Sequence, residues 1–318
     1  MTRLGRGEAY AALAAMCFGS AYVATAVALR TFEPLPAAVY RSLLAALALA
    51  VVVAVQQRRG GRVPPPAGRP RIAVRVLHLL VLGTLGGAIF LTGMNLAVAR
   101  VGPTIASFVA GLYAILAAAF APFLLREPLR RRTLLGFVTA LAGTALLAEL
   151  HLGDETAAGI GWGLVAAVSF ALFLVLSRKW GRADGVDGIR IALATMTIAT
   201  VGLAVLVVVT EPGGLALPAL SSEALAALGW LAFAAAAGQA LGTASMRLIP
   251  ASRSAAFLLL NPITAAILAF LVLDTAPSPV QLVGGTLVLA GIALATIAPN
   301  GVPPAKPLSP RSPLRNPG

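Results

Sequence analysis

Apolar runs long enough to cross a bilayer recur ten times along the chain, parted by short gaps rich in proline, glycine or charge. A membrane-crossing helix needs about 20 predominantly apolar residues. On that criterion the spans are Ala9–Leu29, Pro36–Val55, Val76–Val98, Pro103–Leu125, Thr133–Glu149, Ala157–Ser177, Gly188–Val209, Ala224–Met246, Ser254–Leu273 and Pro279–Ala298. A closed β-barrel is the other way to span lipid, and it needs short alternating segments rather than continuous Ala/Leu/Val runs. The chain is therefore predicted to be an all-α membrane protein with ten transmembrane helices. The first run follows Arg3 and Arg6 in the manner of a signal peptide. It is too long for one and lacks a clear cleavage site, so it reads as a retained first helix.

Composition agrees: of 318 residues, 59% are hydrophobic and 11% charged, with a mean hydropathy of +0.91. A soluble domain carries roughly a quarter charged residues. This chain has too few to wet a globular surface, which excludes an ordinary soluble enzyme, a disordered chain and a collagen-like fibre. The net charge of +13 would suggest nucleic acid in a soluble protein. Here the basic residues occupy the gaps without aromatic stacking platforms, so no nucleic-acid partner is expected and the bilayer is the partner. Counted alternately on the two sides, 20 Lys and Arg fall on one side and only Arg30 and Arg100 on the other. That bias predicts a cell (inner) membrane protein with both termini cytoplasmic. Residues 299–318 hold seven of the 22 prolines and read as a disordered cytoplasmic tail. The single cysteine, Cys17, permits no intrachain disulfide.

A shift of 148 residues lays TLLGFVTALAGTALL (133–147) on QLVGGTLVLAGIALA (281–295), with Gly136 on Gly284 and Gly143 on Gly291. Tyr113 falls on Asn261 under the same shift, and Arg41 falls on Arg190 at 149. The chain thus divides into a first repeat, residues 1–150 with helices 1–5, and a second, 151–298 with helices 6–10. Five is odd, so the second copy enters the membrane from the opposite side. Two inverted five-helix repeats are an architecture of secondary transporters, whose halves exchange conformations around a central site.

The segment FLLREPLRRRTLLG, with Glu127 followed nine residues later by Gly136, resembles the EamA-type families of the drug/metabolite transporter superfamily. In the second copy, LNPITAAILAFLVLDTAPSPVQLVGG supplies Pro262 and Gly284, and LAG follows at 289–291. Ala114 stands where the family has a helix-4 proline, and Asp274-Thr275 stands where the second acid belongs. The resemblance covers residues 9–298. It implies a ten-helix drug/metabolite-transporter fold and a transporter of small organic metabolites or drugs, in the export direction.

Candidate substrate-binding residues are the polar side chains near the estimated midplane, Tyr22, Tyr113, Gln239 and Asn261, together with Arg41. A buried cavity between halves draws its hydrogen-bonding groups from such positions, although each could equally satisfy a neighbouring helix. Arg41 either meets an anionic group of the substrate, meets a gating partner such as Glu33, or snorkels to the interface. Arg190, with Asp184 and Asp187 close in sequence, and Glu127, among Arg126 and Arg130–Arg132, are expected to be structural or gating residues. Pro262 is expected to kink the ninth span in mid-course. Gly83/Gly87 and Gly238/Gly242 form GxxxG pairs that read as close packing, with a homodimer face as the alternative. His78 and Asn95 lie toward helix ends, where interfacial hydrogen bonding is expected.

The chain has no GxxxxGK[ST] loop, no His/Cys/acid cluster at metal spacing, no midplane carboxylate and no nucleophile–base set. No cofactor or metal is expected. The reading is a facilitative or secondary-active transporter of a small molecule working by alternating access, with a non-transporting scaffold or sensor, or a membrane-embedded enzyme, as alternatives.

Overall fold

The computed structural model describes residues 3–58, 72–125, 131–147, 154–184, 188–211, 213–216, 221–246, 248–249 and 257–296. Among these, eleven α-helices and no strands are found: α1 (Arg3–Ala28), α2 (Pro34–Arg58), α3 (Ile72–Gly83), α4 (Phe90–Gly111), α5 (Tyr113–Leu125), α6 (Arg131–Leu147), α7 (Asp154–Asp184), α8 (Gly188–Thr210), α9 (Ser222–Met246), α10 (Leu260–Leu273) and α11 (Pro279–Thr296). A π-helical turn, Thr84–Ile89, joins α3 to α4, and a 3₁₀ turn, Phe257–Leu259, leads into α10. Glu127 and its arginine neighbours 126 and 130, Asp187 and the tail 299–318 lie outside the described residues.

Among the described residues, six helical stretches are long and apolar enough to cross a membrane. The longest, Ile72–Leu125, has 54 residues, about 80 Å if it were one straight helix and more than twice the hydrocarbon thickness of about 30 Å. It does not run straight. Gly102 adopts φ 74° and ψ 169°, a left-handed conformation open to glycine, and Pro103 follows. A Cβ at Gly163 would stand 3.8 Å from the Ala97 methyl and 2.8 Å from Val109 Cγ1. Twelve residues of continuous helix would hold those two side chains about 18 Å apart. The chain therefore turns back on itself at Gly102, and both limbs lie on α7.

The bundle is apolar on the outside and small-residued within. Phe123 is 83% exposed and Val209 74%, whereas Ala15, Ala38, Ala140, Ala166, Ala171, Ala199, Ala234 and Ala265 are sealed. Lipid tails are as apolar as leucine, so helices in a membrane gain by close backbone approach between small residues rather than by hiding large ones. Along α6 and α11 the approach reaches the backbone itself. A Cβ on Gly143 would come within 2.6 Å of the Gly284 carbonyl oxygen, and one on Gly291 within 2.5 Å of the Gly136 oxygen. The same logic accounts for the GxxxG pairs: Gly83 and Gly87 face Ile198 and Ala199 of α8, and Gly238 and Gly242 face Phe18 and Ala14 of α1.

Buried hydroxyls mostly bond within their own helix, as Thr25 Oγ1 does to the Ala21 carbonyl and Ser107 Oγ to that of Thr104. A few tie helices together. Trp230 Nε1 donates to Ser20 Oγ at 2.9 Å, Thr200 Oγ1 to Ser42 Oγ at 3.0 Å, and Ser169 Oγ to the Leu85 carbonyl at 2.6 Å. Two ion pairs close loops on the side where α1 ends: Arg30 to Glu223 at 2.6 Å and Arg100 to Glu155 at 3.5 Å.

Candidate functional site

Two helix interruptions create the site. A turn at Leu112 separates α4 from α5, so that Tyr113 opens α5. The 3₁₀ turn at 257–259 places Asn261 at the start of α10. The two side chains meet, with Asn261 Nδ2 donating to the Tyr113 hydroxyl at 3.5 Å across a sequence separation of 148 residues. Gly19 lets α1 settle against this point, since a Cβ there would lie 2.4 Å from the Asn261 carbonyl oxygen. One turn on, α1 contributes Tyr22, which packs in one cluster with Met94 and Ala265.

Tyr22, Ser107, Tyr113, Asn261, Pro262 and Ile292 line a cavity of about 10 Å³, room for about one water molecule. Asn261 Oδ1 is buried in it without a partner among the described residues. An aromatic wall backs Tyr113: its ring meets Phe170 edge-on at 5.0 Å, and Phe170 lies 4.6 Å from Phe90. A larger space of about 400 Å³ lies between α4, α10 and α11. Its walls include Ile267, Phe270, Leu271 and Leu282, all more than half exposed on the apolar exterior. It is a groove facing lipid, and the polar groups do not converge there.

Of the residues singled out from sequence, Tyr22, Tyr113 and Asn261 are brought together. Gln239 is half-buried on α9 and does not line the cavity. Pro262 does not kink a helix in mid-course. It occupies the third position of α10, where a missing N–H has no intrahelical partner to lose. Arg190 is exposed at the third position of α8. Arg41 turns inward instead of snorkelling: its Nη1 donates to Thr25 Oγ1 at 3.2 Å and lies 3.6 Å from Met94 Sδ. Glu33, offered as its gating partner, is exposed and makes no ion pair with it. Asn95, at 1% exposure, donates from Nδ2 to the Pro34 carbonyl at the start of α2 at 2.9 Å. His78 is half-buried and stacks on Trp180 at 4.2 Å.

Thr25, Met94, Ser107 and Phe170 join the site without having been expected. Thr25 carries a usable signal, since it lies three residues from Tyr22 and so on the same face of α1.

A helical bundle with an apolar exterior is the build of an integral membrane protein. The chain belongs to the EamA-like transporter family, which matches it twice, over residues 5–148 and 157–297, within the drug/metabolite transporter superfamily. It is 25% identical to protein PecM of Dickeya dadantii (strain 3937) over 293 residues, covering 89% of this chain and 90% of that one. A solved crystal structure, 20% identical, superposes with a TM-score of 0.61 over 91% of this chain and 96% of its own. That likeness shows a common fold.

Proposed function

We propose that this protein is an inner-membrane exporter of a small organic metabolite, built from ten transmembrane helices in two inverted halves and working by alternating access. The observation that carries the reading is the register of α6 on α11. The Gly143–Gly284 contact, with each residue moved to its partner under the 148-residue shift, becomes the Gly291–Gly136 contact. A contact set that maps onto itself in this way is what a two-fold relation between halves produces. The Tyr113–Asn261 bond, between residues 148 apart, lies on the same axis of exchange. Two separate family matches, one in each half, support the duplication.

Equivalent halves can trade conformations, and the exchange opens a site between them first to one side and then to the other. A cavity of about 10 Å³ admits no organic molecule, so loading requires the helices around Tyr22, Tyr113 and Asn261 to part. Purified protein in proteoliposomes should release small metabolites that protein-free vesicles retain. Replacing Tyr22, Tyr113 or Asn261 singly with an apolar residue should lower that flux, and Gln239→Leu should lower it less. Unchanged flux in every variant would favour a scaffold.

A further inference from the structure

We propose that the cargo carries a carboxylate and that Arg41 receives it, an inference that rests on the transport reading above. Arg41 lies seven residues into α2, about 10 Å along the helix. Its guanidinium contacts Thr25 and Met94, side chains of residues only 1% and 2% exposed, so the charged head sits inside the bundle. Arg30 and Arg100 each have a carboxylate within 4 Å. Arg41 has none among the described residues, and its two contacts are neutral. A charge inside a membrane protein is costly and is retained where a partner or a ligand balances it.

The geometry of the unused donors selects the ligand. Arginine has five N–H groups in a planar fork. Both contacts fall on Nη1, so the Nε–Nη2 edge has no protein acceptor among the described residues. That edge takes the two oxygens of a carboxylate side by side, a match that a lysine ammonium does not reproduce. Met94, which Arg41 touches, packs in one cluster with Tyr22, and Tyr22 in turn lines the cavity with Tyr113 and Asn261. The arrangement fits an organic acid or a zwitterion with its carboxylate on Arg41 and an apolar or aromatic body toward Tyr22, Tyr113 and Phe170.

The full chain and its Arg41→Gln and Arg41→Lys variants would be reconstituted in vesicles loaded with a small-molecule cell extract. Release would be read by mass spectrometry and normalised to folded protein by size exclusion. Solutes released by the parent should carry a carboxylate. Arg41→Gln should slow their release at least tenfold, and Arg41→Lys several-fold despite the retained charge. Parent-dependent release of solutes that lack a carboxylate overturns the assignment, as does release by Arg41→Gln at the parent rate. Should Arg41→Gln fail to fold, the chemistry of the parent's solutes and the Arg41→Lys variant decide. Vesicles in which even the parent releases nothing overturn the transport reading itself, a different result from either of these.

Discussion

Asn95 shows how an isolated polar side chain is used in this protein. Its amide donates to the Pro34 carbonyl at the start of α2, and its Oδ1 has no partner among the described residues. Hydrogen bonds between membrane helices contribute about 0.6 kcal/mol on average and up to about 1.7. Asn95→Ala should therefore cost about 1 kcal/mol in reversible unfolding from detergent, with flux following only the loss of folded protein. A polar residue in an apolar run is conspicuous in sequence, which is why Tyr22, Tyr113 and Asn261 could be found there. The same rule also picked Gln239, because depth along a span is legible while the direction a side chain faces is not. Thr25 and Met94 escaped notice because they resemble ordinary span residues, and their part depends on Arg41 bending toward them.

Helices report their existence more readily than their joints. The apolar runs predicted helices rather than strands, as the described residues show, and the Gly102-Pro103 reversal falls where two spans were divided. The π-helical turn at 84–89 left no trace in the run of Leu and Gly; within it Gly86 lies against the Phe173 ring, where a Cβ would collide. Pro262 misled because proline reads as a kink wherever a span is taken to continue, and here the helix starts two residues before it. The α6–α11 seam makes a sharp prediction. Gly143→Ala or Gly291→Ala would press a methyl into backbone at 2.6 or 2.5 Å, and overpacking of this kind costs about 1–3 kcal/mol. At Gly161 an added methyl would meet nothing within 4 Å, and Gly161→Ala should be neutral or raise stability by up to about 1 kcal/mol through helix propensity. Thermal melting in detergent compares the three directly.

The basic residues carry an expectation at the scale of the whole molecule, because charge in loops biases which side each loop occupies. With both termini proposed to be cytoplasmic, alkaline phosphatase inserted after Gly213 should be active and the same enzyme fused after residue 298 inactive. Activity at the second position would reverse the orientation. Family membership fixed the class but not the cargo, since what the site accepts depends on a few contacts such as those of Arg41. The two ion pairs carry a separate implication. Arg30–Glu223 and Arg100–Glu155 each join a residue of the first half to one of the second, and the first pair is more than half exposed. Such pairs are weak individually and are screened as the Debye length falls from about 8 Å in physiological salt to about 3 Å at 1 M. Ionic strength on that face alone should therefore alter the rate at which the halves part, while the same salt on the opposite face should not. An Arg30→Gln/Arg100→Gln variant should lose this one-sided response, making the protein's turnover indifferent to the saltiness of its surroundings.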